Sequence, residues 1–328
     1  MNALVIDKKG DTPEMKMGEH PTPKPGKNEL LVKIEATALN RADLMQKAGN
    51  YPVPKGASPI LGLEMAGYVE AIGEDVSAFK KGDRVCGLLS GGGYAEKCVI
   101  HEEVAFPIPE RFSFEEAAAI PEVFLTAFQA NFWLGGLKEN ETILIHAGAS
   151  GVGTAAIQLA KQIKNARIAA TAGSREKLEL CRSLGADLAM NYKEKNYAET
   201  IEDNFGKYAV DVIIDFVGSP YWEKNMSVLA MDSRLVYLSM LGGSTVEKMS
   251  LVPILRKRLT IKGSTLRNRS LDYKIKLTKE FTQTALPKFE NGSIRPVIDS
   301  VFDWSDVEEA HEKMANNRSA GKIILTGM

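Results

Sequence analysis

The chain has 328 residues, more than one ordinary hydrophobic core accommodates, so two domains are expected. Lys plus Arg number 41 against 42 Asp plus Glu, so no global field draws the molecule to nucleic acid or to an anionic membrane. Three cysteines and four histidines lie scattered without C-x-x-C spacing, which gives no signature of a thiol redox pair or a zinc knuckle; Cys86, Cys98 and Cys181 read as free thiols.

The opening residues carry charge where a secretory apolar core would extend, and no stretch reaches membrane-spanning length, so a soluble cytoplasmic enzyme is expected. Up to residue 120, short apolar runs separated by Gly and Pro predict an irregular β domain, with strands over 30–35, 67–72 and 94–100 and a turn at 82–87 feeding another. Pro21, Pro23 and Pro25 favour an extended approach to it. A hinge at Ile120-Pro121-Glu122 precedes a helix over 123–133 that Gly135-Gly136 ends. Strands over 167–171, 210–216 and 234–240, with a helix over 176–184 closed by Gly185, continue as a βαβ pattern. A strand over 259–266, helices over 271–286 and 304–314, and a strand over 322–325 returning to the β domain complete the chain. The expected division is 1–121, 122–263 and 264–328, with a ligand cleft between the domains.

Between these parts lies the most informative segment. The apolar run Ile143-Leu144-Ile145 leads through His146 and Ala147 into Gly148-Ala149-Ser150-Gly151-Val152-Gly153 and then an amphipathic helix. Residues with little or no side chain let a backbone approach a pyrophosphate, and the first amides of a helix point unpaired N–H groups at it. Gly148 and Gly153 fit the outer glycines of G-x-G-x-x-G, whereas Ser150 takes the middle position. The other reading of the segment is a structural βα turn. At the end of the second strand an NAD site presents a carboxylate to the ribose hydroxyls. Here Gly173 and Ser174 leave room for a 2′-phosphate and Lys177 offers a charge to it, beside Arg175 and the opposing Glu176, so NADPH is favoured over NADH.

Asn40-Arg41-Ala42-Asp43-Leu44, Tyr51-Pro52, Gly62-Leu63-Glu64-Met65-Ala66-Gly67, the 118–128 segment and Tyr221-Trp222-Glu223-Lys224-Asn225 together resemble the zinc-free quinone oxidoreductase branch of the medium-chain dehydrogenase/reductase superfamily over essentially the whole chain. Within it they are most similar to the subgroup of the tumour-suppressor-inducible enzyme. The resemblance implies an α/β protein with a GroES-like irregular β catalytic domain and a doubly wound Rossmann nucleotide domain. It also implies NADPH-dependent reduction of quinones without zinc or flavin, and homodimers formed beside the nucleotide-domain sheet near 235–240 and 259–266. Zinc-bearing relatives use a cysteine near the Asn40 region and a histidine near the Gly-x-Glu segment, where this chain has Asn40 and Leu63.

In the resembled site Tyr192 donates a hydroxyl near the 2′-phosphate. Thr126, Phe216-Val217-Gly218, Met240-Leu241-Gly242 and Leu266-Arg267 surround the nicotinamide half. Asn40 and Tyr51 are expected to donate hydrogen bonds to the acceptor oxygen, with Asp43 orienting its neighbours. The plainer readings are a helix start for Asp43, a satisfied turn for Asn40 and packing beside Pro52 for Tyr51. Two other functions remain open: an alkenal or enone double-bond reductase, and a nucleotide-dependent RNA-binding or lens-type structural protein.

Overall fold

The computed structural model describes residues 1–7 and 13–327. The chain divides into two units, one of Met1–Leu125 with Leu266–Met328 and one of Thr126–Thr265, a few residues from the divisions expected after 121 and 263. Among the described residues no helix is long and apolar enough to cross a membrane.

The first unit is organised by the strand Glu29–Ala38, whose Leu30, Val32, Ile34 and Ala36 are buried. It pairs antiparallel with Glu64–Ile72, Lys97–His101 and Lys322–Thr326. The chain end therefore does return to the first domain, with Ile324 opposite Ala38. The sheet runs in the order Ile298–Asp303, Lys322–Thr326, Glu29–Ala38, Glu64–Ile72, Arg84–Leu88, Ala105–Pro107. Gly67 permits a close crossing: a Cβ there would meet the Lys33 carbonyl oxygen at 2.0 Å.

Two helix boundaries differ from expectation, each for a packing reason. The helix Leu271–Glu290 does not stop at 286 but continues through Pro287. Leu277, Phe281, Ala285 and Phe289 recur every fourth residue on one buried face. Phe289 makes edge contacts with Phe124 at 4.9 Å and Phe281 at 6.2 Å between centroids, so aromatic burial outweighs the proline's lost backbone bond. The helix near 123–133 begins at the hinge proline, Pro121–Phe128, and passes into a π-helical stretch, Gln129–Leu134.

The second unit is a six-stranded, wholly parallel sheet in the order Leu188–Asn191, Arg167–Ala172, Thr142–Ile145, Val210–Asp215, Leu229–Tyr237, Thr260–Gly263. The chain builds outward from Thr142–Ile145 in one direction and then from Val210–Asp215 in the other. The strand order reverses between those two neighbours, which makes a crevice at their carboxyl ends the ligand position of a doubly wound sheet. The strand expected over 234–240 starts earlier and ends at Tyr237, so Met240 lies in the following loop; that expected over 259–266 is only Thr260–Gly263.

Candidate active site

In the first unit the polar centre is Glu64, wholly buried at the start of its strand. One carboxylate oxygen accepts from Asn40 Nδ2 at 2.8 Å and from Lys322 Nζ at 2.7 Å; the other accepts the Glu122 backbone N–H at 2.8 Å. Lys322 Nζ also donates to Asn40 Oδ1 and to the Leu39 carbonyl, both at 2.7 Å, so all three ammonium hydrogens are used. Lys322 was not singled out from sequence; the signal was a lysine opening an otherwise apolar closing strand. In the regions where the resemblance puts the cysteine and histidine of zinc-bearing relatives, this chain has Asn40 and Leu63. Among the described residues no group of three His, Cys, Asp or Glu side chains is placed to hold a metal.

Asn40 precedes the short helix Arg41–Lys47. Its amide hydrogens face Glu64 and the Ala38 carbonyl, an inward arrangement that differs from the expected donation to an acceptor. Asp43, in the first turn, accepts the Asn40 N–H at 2.8 Å and the Gly62 N–H at 3.1 Å. It thereby holds both segments that flank Glu64. Burial, against those two bonds and the Lys322 charge, pushes the Asp43 carboxyl up to about 6. Tyr51 is half-buried, and its ring centroid lies 5.2 Å from the Arg267 guanidinium carbon.

In the second unit the elbow follows Thr142–Ile145 and opens the helix Gly151–Lys164. Ser150 is the helix N-cap, with its hydroxyl accepting the Gly153 N–H at 3.1 Å and a φ of −72°. The middle position of the motif therefore needs no glycine. The outer two do: a Cβ on Gly153 would meet the Ala147 carbonyl oxygen at 2.4 Å, and one on Gly148 would meet Ala170 Cβ at 2.9 Å. The Gly148 N–H donates to the Thr171 carbonyl, tying the elbow to the next strand. Ala149, Gly151 and Val152 complete the turn, and the first-turn amides face outward along the helix axis where an anion is stabilised.

The strand Arg167–Ala172 ends without a carboxylate at Gly173-Ser174. Ser174 caps the next helix by accepting the Lys177 N–H at 3.4 Å. Tyr192 lies beside Gly173, where an added Cβ would meet its hydroxyl at 2.9 Å and Lys193 Cε at 3.2 Å. Lys193 is a second cation at this edge that the motif reading missed. Arg175 is turned to Glu179 at 3.0 Å, while backbone and Ser174 hydrogen bonds hold the exposed Glu176 carboxyl below its ordinary value.

The two loops expected around the nicotinamide meet in this unit. Leu241 N–H donates to the Phe216 carbonyl and Gly242 N–H to that of Val217, and Gly218 bridges Gly243. Asp215, fully buried, fixes the first loop by accepting the Val217 and Gly218 amides at 2.6 and 3.1 Å. Its other oxygen accepts from Asn225 Nδ2, so Asn225 Oδ1 accepts from His146 Nε2 at 2.8 Å, while His146 Nδ1 takes the Thr171 hydroxyl at 3.1 Å. Burial lowers His146 and keeps it neutral. Thr126 opens this unit and is buried; Leu266 and Arg267 belong to the first unit.

Two outcomes follow from the geometry. Lys322→Met strands a buried carboxylate and should cost about 3–5 kcal/mol, much of it recovered in the double variant with Glu64→Gln; chemical denaturation of the four proteins checks this. For Asp43 the folded value lies above the unfolded value of about 4, so the folded chain retains a proton that the unfolded chain has released. Stability from this group therefore falls as pH rises from about 4 to about 6 and is level above that, a loss of at most ~3 kcal/mol. Asp43→Asn should lose this pH dependence, read as the wild-type minus variant difference in unfolding free energy.

Two family models match the chain: the alcohol dehydrogenase GroES-like domain over residues 26–110 and the zinc-binding dehydrogenase over residues 151–284. A quinone oxidoreductase of Sus scrofa is 32% identical over 331 residues, covering 99% of this chain and 97% of that protein. The solved structure of Escherichia coli quinone oxidoreductase complexed with NADPH superposes with a TM-score of 0.87 at 27% identity, covering 100% of both chains. That of CurK enoyl reductase gives 0.84 at 28% identity, over 99% of this chain and 98% of that one. With a GroES-like domain and a Rossmann-type nucleotide domain both matched, and a quinone oxidoreductase 32% identical over nearly the whole of both chains, the chain belongs to the quinone oxidoreductase family of the medium-chain dehydrogenase/reductase superfamily.

Proposed function

We propose that this chain reduces quinones and related electrophilic carbonyl compounds with NADPH, using neither zinc nor flavin. The observation that carries this reading is the Lys322–Glu64–Asn40 cluster, which closes with mutually satisfied protein groups the region where the resemblance puts the zinc ligands of zinc-bearing relatives. Bound NADPH supplies the reducing equivalents. The half-buried Tyr51 hydroxyl donates to the acceptor oxygen as negative charge develops there. Asn40 and Asp43 act on the shape of this wall, because their polar atoms are already committed to Glu64, Ala38 and Gly62. The resemblance of the Asn40–Leu44, Tyr51-Pro52 and 221–225 motifs supports the subgroup of the tumour-suppressor-inducible enzyme. The three free, buried thiols fit a reducing, cytoplasmic compartment.

Metal-free and flavin-free protein should oxidise NADPH with simple quinones, and Tyr51→Phe should lower kcat about 10-fold, the loss of one strong hydrogen bond to developing charge. Zinc-dependent alcohol oxidation with no quinone turnover would overturn the assignment. The likeness to an enoyl reductase favours a second reading, double-bond reduction of an enone; NADPH-dependent loss of the conjugated double bond with negligible quinone turnover would select it.

The cofactor preference rests on the carboxylate-free strand end at Gly173 and Ser174, with Tyr192, Lys177 and Lys193 around it. Lys177→Ala should weaken NADPH about 10-fold or more while changing NADH little, measured by calorimetric titration; an unchanged affinity ratio would remove Lys177 from the site.

Association is proposed through the edge of the parallel sheet. Thr260–Gly263 is its outermost strand and is exposed along its length. The segment leading to it exposes Leu241, Leu251, Val252 and Leu255, the last 81% accessible. An open edge flanked by apolar surface is a liability for a monomer, and a second copy covers it by a two-fold pairing of like strands. Sedimentation equilibrium should show a homodimer for the wild type and a monomer for Leu255→Glu; a wild-type monomer at all working concentrations would overturn it.

A further inference from the structure

The first unit contains a cavity of about 530 Å³ to which neither Asn40, Asp43 nor Tyr51 contributes a wall. Ser58, Ser90 and Gly91 form one side and Arg267, Asn268 and Lys274 another. The loop at Ser90 is pressed against its neighbour: Gly91 has a φ of +148°, and a Cβ there would meet the Ser58 carbonyl oxygen at 2.4 Å. Lys55, Lys97, Arg267, Arg269 and Lys274 line the cavity against a single carboxylate, Glu29. Glu29 is held by the Gly26 N–H at 2.8 Å, and Lys97 is neutralised by Glu70 at 2.7 Å.

Arg267 and Lys274 are different from the rim charges. Arg267 is 4% exposed and Lys274 8%. Lys274 Nζ donates to Ser90 Oγ at 2.7 Å and to the Arg267 carbonyl at 2.9 Å, while Arg267 Nε donates to the Ser90 carbonyl at 2.9 Å. All three acceptors are uncharged. Both Arg267 terminal nitrogens are buried without a hydrogen-bond acceptor, the Tyr51 ring being the only aromatic face set against them. Burial lowers the Lys274 ammonium, and the adjacent Arg267 charge lowers it further. Two desolvated cations thus bracket one serine, and the Arg267 terminal nitrogens have no acceptor within the chain, a buried positive charge that a carboxylate-like anion would compensate.

We propose that this cavity seats an anionic substituent of the acceptor, a carboxylate or sulfonate, against Arg267 and Lys274. The inference deepens the quinone-reductase reading and rests on it: the preferred acceptors are acidic quinones or enones. The Arg267 guanidinium carbon also lies 5.2 Å from the Tyr51 ring centroid, so an anion held at this pair acts on a cation that packs against the proposed hydroxyl donor. A neutral acceptor leaves Arg267 uncompensated. The phosphates of NADPH offer similar chemistry, but every lining residue belongs to the unit of Tyr51 rather than to that of the nucleotide elbow.

Equilibrium titration of the full chain with naphthalene-2-sulfonate and its neutral isostere naphthalene-2-sulfonamide tests this without any turnover. The sulfonate should bind at least about 10-fold more tightly, as a charge-assisted hydrogen bond requires, with the preference shrinking as salt is added. Arg267→Met and Lys274→Met should abolish the preference, and Lys274→Arg should retain most of it; circular dichroism of each variant separates this from misfolding. In turnover, the ratio of kcat/KM for a sulfonated over a neutral naphthoquinone should fall about 10-fold in Lys274→Met. Equal binding of the two probes to the wild type overturns the proposal. So does loss of NADPH affinity in both variants with the sulfonate preference intact, which would assign the cations to the cofactor. Absence of quinone turnover with the binding preference present would instead count against the quinone reading alone.

Discussion

The buried pairing of Lys322 with Glu64 is the constraint around which the first unit is arranged. Taking both charges out of water is costly, and the cost is met only because every hydrogen of the ammonium and both oxygens of the carboxylate have partners. Those partners come from distant parts of the sequence: Leu39 and Asn40 after the central strand, Glu122 at the hinge, and Lys322 near the chain end. Satisfying one carboxylate therefore requires the closing strand to pair beside Glu29–Ala38 and the hinge helix to start where it does. The constraint also decides chemistry. A cation with all its donors used cannot ligate an acceptor oxygen as a metal does, so the work of stabilising developing charge passes to neighbouring neutral donors.

The second unit uses the same logic around one carboxylate whose partners are uncharged. Asp215 sits at the end of a central strand and spends one oxygen on the two amides of the loop that follows. Its second oxygen orients Asn225, which in turn fixes the tautomer of His146 against Thr171. Three adjacent strand ends are thereby locked by one fully satisfied network, and satisfied buried networks rigidify what they span. The consequence is a stiff floor beneath the reversal point of the sheet, where a dinucleotide needs backbone amides at fixed positions.

Legibility from sequence follows the range of the forces involved. The elbow was readable because its requirements are local: a strand, small residues and a helix start in consecutive positions. Local chemistry even accounts for Ser150, once it is seen as an N-cap rather than a failed glycine. The parallel strands were readable as apolar runs, though their ends were not, since Tyr237 and Gly263 stop pairing for reasons set by neighbours. The helix opening at Leu271 was expected to stop at 286, but it continues through Pro287 because Phe289 packs on Phe281 of the same helix and on Phe124 far away in sequence. Lys322 carried only the faint signal of a lysine opening an apolar strand. Its role depends on Glu64, 258 residues earlier, and that is a relation no periodicity reports.

The same distinction explains how a chain with a formal net charge of −1 can line one cavity with five lysines and arginines against a single carboxylate. Net charge is a sum over groups that are mostly at the surface, where water screens them and where pairs such as Arg175 with Glu179 contribute little. Arg267 and Lys274 contribute two units to that sum, as any rim lysine pair would, yet their burial beside Ser90 makes them far stronger determinants of what the protein accepts. A net charge near zero supplies no long-range field toward polyanions. Selection of a single small anion is decided at short range, by which cations have been denied both water and a carboxylate.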